Sequence, residues 1–219
     1  LGGESTRPGA PAVSTSEELR RLMPVLETVR EQLPHTKLSV DTSKSAVMQA
    51  AIAAGADMIN DVNALRAPGA LELIAASQVE VCLMHMQGDP RTMQQQPHYQ
   101  DVVAQVQQFL AQRVQSCTQV GIARHRLYLD PGFGFGKNLQ HNLLLMKHLK
   151  QLQQPDCKLL IGVSRKSLIG AVLDKPVNQR LYGGLALAVL AATQGTHLIR
   201  THDVAPTLEV LRMTQAVLS

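Results

Sequence analysis

The amino-acid sequence predicts an α/β fold, a (β/α)8 or TIM barrel that is incomplete in this chain, on three observations. An apolar strand of about five residues, a polar or glycine-bearing turn and a helix recur in the lengths of βα units. Nearly every predicted strand ends in polar residues: Asp41-Thr42-Ser43-Lys44, Asn60-Asp61, His85, Asp130, Ser164-Arg165-Lys166 and Arg200-Thr201-His202-Asp203. Aromatic residues make up only 3% of the chain and Trp is absent, so the core is aliphatic, as in a parallel barrel. An open doubly wound sheet gathers its ligand residues at one switch point. Polar ends on almost all strands instead fit a barrel, whose site is assembled from all the βα loops.

The chain opens on Leu1-Gly2-Gly3, without an initiator Met, and reads as the last residue of a strand running into a loop. The expectation is six complete strands here, with strand one and most of strand two of the barrel missing. Ser14-Thr15-Ser16-Glu17-Glu18 supplies N-cap candidates and early acids, and Leu19, Leu22, Met23, Leu26 and Val29 follow at helical spacing, so a helix runs to near Pro34. Strands are expected near 37–41, 57–61, 80–85, 126–130, 158–163 and 197–201. Helices are expected over 43–54, 68–77, 100–120, 139–152, 178–194 and 205–218. No linker, low-complexity segment or repeat divides the 219 residues, so a single domain spans 1–219.

The net charge is +4, but the basic residues are scattered and not interleaved with aromatics, which argues against nucleic acid and suits a small anionic substrate. Cys82, Cys117 and Cys157 form no Cys-x-x-Cys pair, and neither a signal peptide nor a long apolar span is present. A reduced, cytoplasmic chain without membrane contact is expected. His85, His202 and Cys82 lack the spacing of a zinc site.

The segment Leu127-Tyr128-Leu129-Asp130-Pro131-Gly132-Phe133-Gly134-Phe135-Gly136-Lys137-Asn138 reads as a strand delivering Asp130 into a glycine-rich loop, with Asn138 capping the next helix. The glycines would let a ligand approach the backbone closely. The loop is neither a P-loop, which needs Ser or Thr where Asn138 stands, nor a dinucleotide fingerprint, whose glycines are more widely spaced. Period-two geometry puts Ser164 and Lys166 on one face, and Arg200 and His202 likewise, each pair aimed at one ligand.

Bland roles compete at each position. Asp41 could cap a helix, Asp130 could make an Asx-turn, Asn60 could satisfy backbone, and Arg7 and Arg200 could form surface ion pairs. Lys44 and Lys137 read as solvated, His85 as packed, and Met84, Met86 and Met93 as hydrophobic walls, with Met84 best placed to touch a flat ring. Taken together, Asp41, Asp130 and Asn60 beside Arg7, Lys166, Arg200 and His202 match a heterocycle carrying a phosphate. Carboxylates and amides pair with the N–H edge of an amino-pyrimidinone, and Arg and His with phosphate oxygens. No Ser-His-Asp order or Glu pair supports a nucleophilic or glycosidic mechanism.

Seven motifs in order carry a family resemblance: Gly2-Gly3-Glu4-Ser5-Thr6-Arg7-Pro8-Gly9, Ser39-Val40-Asp41-Thr42, Ile59-Asn60-Asp61, Leu83-Met84-His85-Met86, the 130–137 loop, Ser164-Arg165-Lys166-Ser167 and Arg200-Thr201-His202-Asp203. With them the chain resembles the bacterial dihydropteroate synthases along its whole length. The resemblance implies a transferase of folate synthesis, a sulfonamide target, that condenses 6-hydroxymethyl-7,8-dihydropterin diphosphate with 4-aminobenzoate.

By the same resemblance, Asp41, Asn60, Met84, Asp130, Gly162, Lys166 and Arg200 hold or line the pterin. Thr6, Arg7, Pro8, Phe135, Ser164 and Lys166 frame the aminobenzoate, Thr6, Arg200 and His202 hold diphosphate, and Lys166, Arg200 and His202 serve catalysis. It also implies Mg2+, whose family ligand lies in the missing first loop, so no metal ligand is assigned in this chain, and a homodimer through barrel helices. Two absent βα units, on the order of 60 residues, would leave sheet edges open and the activity of this chain in doubt. The rivals are a methyltetrahydrofolate-corrinoid methyltransferase type of pterin barrel, which needs neither Thr6-Arg7-Pro8 nor Ser164-Arg165-Lys166, and a non-catalytic pterin-binding remnant.

Overall fold

The computed structural model describes residues 1–7, 9–89 and 92–219. Among them are six parallel strands in sequential order, β1 (Ser39–Asp41), β2 (Met58–Asp61), β3 (Glu80–Met84), β4 (Leu127–Asp130), β5 (Lys158–Ile161) and β6 (Leu198–Ile199). Each is joined to the next by helix, the connection that parallel pairing demands. The helices are α1 (Thr15–Gln32), α2 (Ser45–Ala53), α3 (Ala70–Ala75), α4 (Val102–Gln119), α5 (Leu139–Lys147), α6 (Ser167–Leu173), α7 (Leu181–Thr193) and α8 (Val204–Leu218). The result is a half-barrel with helices outside.

Local sequence explains most of the boundaries. Ser14 caps α1 by accepting from the Glu17 amide at 3.2 Å, and Asp101 caps α4 by accepting from the Val103 and Ala104 amides. Asn138 and His141 form a reciprocal capping box on α5. The expected helix over 139–152 ends as an α-helix at Lys147 and continues as a 3-10 turn, Leu149–Leu152. The expected 178–194 helix starts at Leu181 after another 3-10 turn, Val177–Gln179. Helix α6 was not expected: its seven residues are too few to show a periodic apolar face.

Pleating sorts the strand residues into two sets. Val40, Ile59, Val81, Leu83, Leu127, Leu129, Leu159 and Ile161 face outward and pack with Leu22, Leu26, Met48, Ile74, Leu110 and Leu145 of the helices in one large core. The alternate residues Met58, Cys82, Tyr128 and Leu160 form a separate inward cluster. Beneath it, Lys158 pairs with Glu80 at 2.6 Å and Tyr128 donates to Glu80 at 3.3 Å. The register sets Asp41 beside Asn60, Asn60 beside Cys82 and Met84 beside Asp130. The inward period therefore carries the carboxylates and the amide to the C-terminal end of the sheet.

The two sides of the sheet differ. Residues 1–2 lie along β1, where the Asp41 amide donates to the Leu1 carbonyl at 2.7 Å and Gly2 bridges Asp41. At the other side Leu198 and Ile199 of β6 remain half-buried. The outer faces of α7 and α8 are also apolar and exposed, with Leu190, Met213, Val217 and Leu218 each at least half open to solvent.

Candidate active site

The floor of the site is built by register. Asn60 is buried and its amide has no hydrogen-bond partner among the described residues, so its donors and acceptor are not spent on barrel backbone. Asp130, also buried, accepts from the Gly132 amide at 2.7 Å through Oδ1. Half of the carboxylate thus makes the Asx-turn, while Oδ2 has no partner among the described residues. Burial raises the Asp130 pKa, against the pull of Lys166, the Gly132 N–H and Arg200. Asp61, one residue beyond Asn60, faces the other way: its two oxygens accept from the Asn63 and Leu65 amides at 2.7 Å each, and burial pushes its pKa up to about 6.

Cations stand on the rim. Lys166 donates to the Phe133 carbonyl, and its ammonium lies 4.8 Å from the centre of the Phe135 ring. Burial pushes its pKa down to about 8, with Asp130 opposing and Arg200 adding to the shift. Arg200 donates to Asp41 at 2.9 Å. It crosses the end of β5 closely, since a Cβ on Gly162 would meet its Nε at 3.3 Å. His202 Nδ1 lies 3.0 Å from Ser164 Oγ.

Strand alternation does not place either pair, because both lie beyond the ends of their strands. Residues 164–166 lie beyond β5 in a turn where Arg165 has a φ of 58°, so strand alternation no longer applies. Ser164 turns to His202 and Lys166 to Phe133, and Arg200 goes to Asp41 rather than alongside His202. Sequence reasoning also missed Arg165, which grips Asp203 through two nitrogens, at 2.5 and 3.1 Å, and ties the β5 and β6 loops together.

The glycine loop serves the protein's own backbone first. Gly132, Gly134 and Gly136 all have positive φ, and a Cβ would lie 1.9 Å from the His85 carbonyl at Gly132 and 2.4 Å from the Gln87 carbonyl at Gly136. The close approach expected of a ligand is made at these two positions by the loop after β3. Lys137 is not solvated: it is buried, donates to the Gly132 and Phe135 carbonyls at 3.0 and 2.9 Å, and lies 2.9 Å from His85 Nδ1. Burial pushes its pKa down to about 7, and burial with the Lys137 charge pushes His85 down to about 3. Above this loop, Met84, Met86, Met93 and Phe135 form an apolar wall.

On the N-terminal side, Thr6 shares a small cavity with Glu4, Glu18, Asp41, Thr42 and Ser43. Arg7 is exposed, and no bond joins its side chain to another described residue. Pro8 lies outside the described residues. Asp41 does not cap a helix, for α2 begins after Lys44 with no side-chain cap. Lys44 is not free in solvent either: it bridges Glu4 and the fully buried Glu18, which sequence reasoning took only for a first-turn acid. Among the described residues no three His, Cys, Asp or Glu side chains converge to hold a metal ion.

The family described as pterin binding enzymes matches residues 1–202. The chain belongs to the pterin-binding enzyme family. Within this family the dihydropteroate synthase of Escherichia coli strain K12 is 50% identical over 219 residues, covering 100% of this chain and 77% of that protein. That of Haemophilus influenzae is 49% identical over 216 residues, with 99% and 78% covered. The structure superposes on the Yersinia pestis dihydropteroate synthase with a sulfonamide drug complex at a TM-score of 0.94 and 48% identity, covering 99% of this chain and 78% of that one. For the Xanthomonas albilineans dihydropteroate synthase with 4-aminobenzoic acid the TM-score is 0.93 and the identity 49%, with 100% and 78% covered. The six strands and their helices superpose on these structures over almost the whole chain.

Proposed function

We infer that this chain is a dihydropteroate synthase, a transferase of folate biosynthesis. The observation that carries the reading is the pair Asp130 and Asn60 buried on the inward floor, with Lys166, Arg200 and His202 on the loops that follow the neighbouring strands. It is supported by identity of about half to enzymes of that activity along the whole chain. The substrates are 6-hydroxymethyl-7,8-dihydropterin diphosphate and 4-aminobenzoate.

In this reading Asp41, Asn60 and Asp130 receive the N–H edge of the pterin, and Met84 and Gly162 line its slot. Arg200 lies against the ring and, with His202 and Thr6, takes the diphosphate. Phe135, Ser164, Lys166, Thr6, Arg7 and Pro8 frame the aminobenzoate. The bond between the pterin methylene carbon and the diphosphate oxygen breaks, its electron pair leaves with diphosphate, and the electron-rich dihydropterin spreads the positive charge. The arylamine nitrogen then attacks the methylene carbon and releases a proton to solvent. Because an arylamine is already neutral at pH 7, the chain's work is to stabilise the leaving charge and align the nucleophile.

Among the described residues no three carboxylate, imidazole or thiol groups converge on one point. We place Mg2+ with the diphosphate oxygens, the ligands this ion commonly takes in phosphoryl substrates. The exposed apolar faces of α7 and α8 favour a homodimer. The three cysteines are free and buried, and no described helix is long and apolar enough to cross a membrane, which favours a cytoplasmic place. The deciding experiment is an assay of dihydropteroate formed from both substrates with Mg2+. Product that requires both is expected, and no product from a folded protein would overturn the reading.

A further inference from the structure

We infer that Lys44, clamped between Glu4 and Glu18, is a positioning residue that holds the Thr6-Arg7 loop against the barrel for 4-aminobenzoate. The inference deepens the proposed function and rests on that loop belonging to the aminobenzoate site.

Residues 4 and 13 are joined by one side chain. Glu4 accepts from the Val13 amide at 2.9 Å through Oε1 and from Lys44 through Oε2. Lys44 in turn donates to Glu18 Oε2 at 2.5 Å, on α1. Gly3, just before the loop, is buried so tightly on α1 that a Cβ would lie 2.7 Å from the Glu18 carbonyl, and Arg21 donates to the Gly3 carbonyl at 3.2 Å. Lys44 itself follows Asp41-Thr42-Ser43 directly and starts α2. One ammonium therefore joins the loop, α1 and the strand end that carries Asp41.

The energetics indicate a role in placement rather than in stability. Glu18 is fully buried, and its Oε1 has no hydrogen-bond partner among the described residues. A carboxylate held this way is costly, and buried ion pairs often stabilise a fold no better than apolar side chains of the same volume. What the triad does supply is direction, because the geometry of two charge-assisted bonds fixes where the base of the loop sits. Burial works against the Lys44 charge, but Glu18 and Glu4 more than compensate and hold its pKa above the ordinary value. The clamp therefore stays closed at neutral pH. Thr6 and Asp41 line the small cavity beside Glu18, so a shift of this base moves Thr6 relative to the pterin side.

The test compares wild type, Lys44→Met, Lys44→Arg and the charge-balanced double variant Lys44→Met/Glu18→Gln, which keeps the question open if the single variant strands its carboxylates and fails to fold. Two readouts are taken: hydrogen exchange of the amides in residues 4–13, and KM for each substrate. In Lys44→Met or the double variant, exchange in 4–13 should rise at least tenfold and KM for 4-aminobenzoate about tenfold, with a smaller rise, about threefold, in KM for the pterin diphosphate, which Thr6 also meets. Lys44→Arg should return both readouts to within about threefold of wild type. Unchanged exchange in the folded variants overturns the inference, as does an equal rise of both KM values. If wild type makes no dihydropteroate, the functional reading fails on its own, and the exchange arm still decides whether Lys44 holds the loop.

Discussion

Arg200 and Asp41 stand 159 residues apart in sequence and 2.9 Å apart in space, joining the last strand of the sheet to the first across the open end of the half-barrel. Both side chains are a third or more exposed, so this ion pair adds about 1 kcal/mol or less to stability. Its two groups are instead available to a ligand that enters between them. Arg200→Ala is expected to leave the urea midpoint nearly unchanged while weakening pterin diphosphate binding at least tenfold, about 1.4 kcal/mol. Calorimetric titration beside a urea melt checks this, and a large stability loss with intact binding would make the pair structural.

Lys166 faces both substrates in the proposed arrangement. Lys166→Ala should weaken 4-aminobenzoate and pterin diphosphate alike, measured separately by titration; wild-type affinity for both would remove its role. With its pKa pushed down to about 8, the ammonium is charged below that pH and neutral above it. Activity is therefore expected to fall as pH rises from 7 to 9, and Lys166→Arg, which stays charged, should flatten that limb of the pH–rate profile.

His85 sets an acid limit on stability. Its pKa falls from 6.5 to about 3 on folding, through burial and the Lys137 charge, so between those values the unfolded chain binds the extra proton. Stability should rise with pH across this window and fall on acidification, by up to about 1.4 kcal/mol per pH unit from this one group. Urea titrations at pH 5 and 7 should show a smaller difference in His85→Gln than in wild type. An equal difference would mean that other groups carry the effect.

Gly132 and Gly134 offer a controlled comparison within one loop. Both have positive φ, but a Cβ at Gly132 would lie 1.9 Å from the His85 carbonyl, whereas at Gly134 the nearest atom is Lys166 Cδ at 3.7 Å. Gly132→Ala is expected to cost on the order of 3 kcal/mol or more, and Gly134→Ala only the left-handed strain of roughly 1 to 2 kcal/mol. Denaturant unfolding of the two variants checks the order, and equal losses would show that the loop yields at Gly132.

Much of this was legible before any coordinates. Apolar strands followed by amphipathic helices specify parallel βα units whatever the details of packing, and Asp41, Asn60 and Asp130 could be named because each is a polar residue at the end of an apolar strand. Period-two alternation did not reach Ser164 and Lys166 for a physical reason. They lie past the strand, where a left-handed Arg165 reverses the chain and each side chain finds its own partner.

By itself the sequence determined the fold class, the order of the strands and the chemical kinds of group gathered at one end of the sheet, because those follow from local periodicity and residue type. Only the tertiary structure decided which charges are solvated and which are spent. Lys44 and Lys137 are both single basic residues beside a predicted strand end or loop, with nothing nearby in the chain to distinguish them. One is clamped by Glu4 and Glu18, 40 and 26 residues away, and the other is sealed under a glycine loop against His85, 52 residues away. The partners of a long polar side chain are set by how distant segments pack, and burial multiplies the strength of each contact they make.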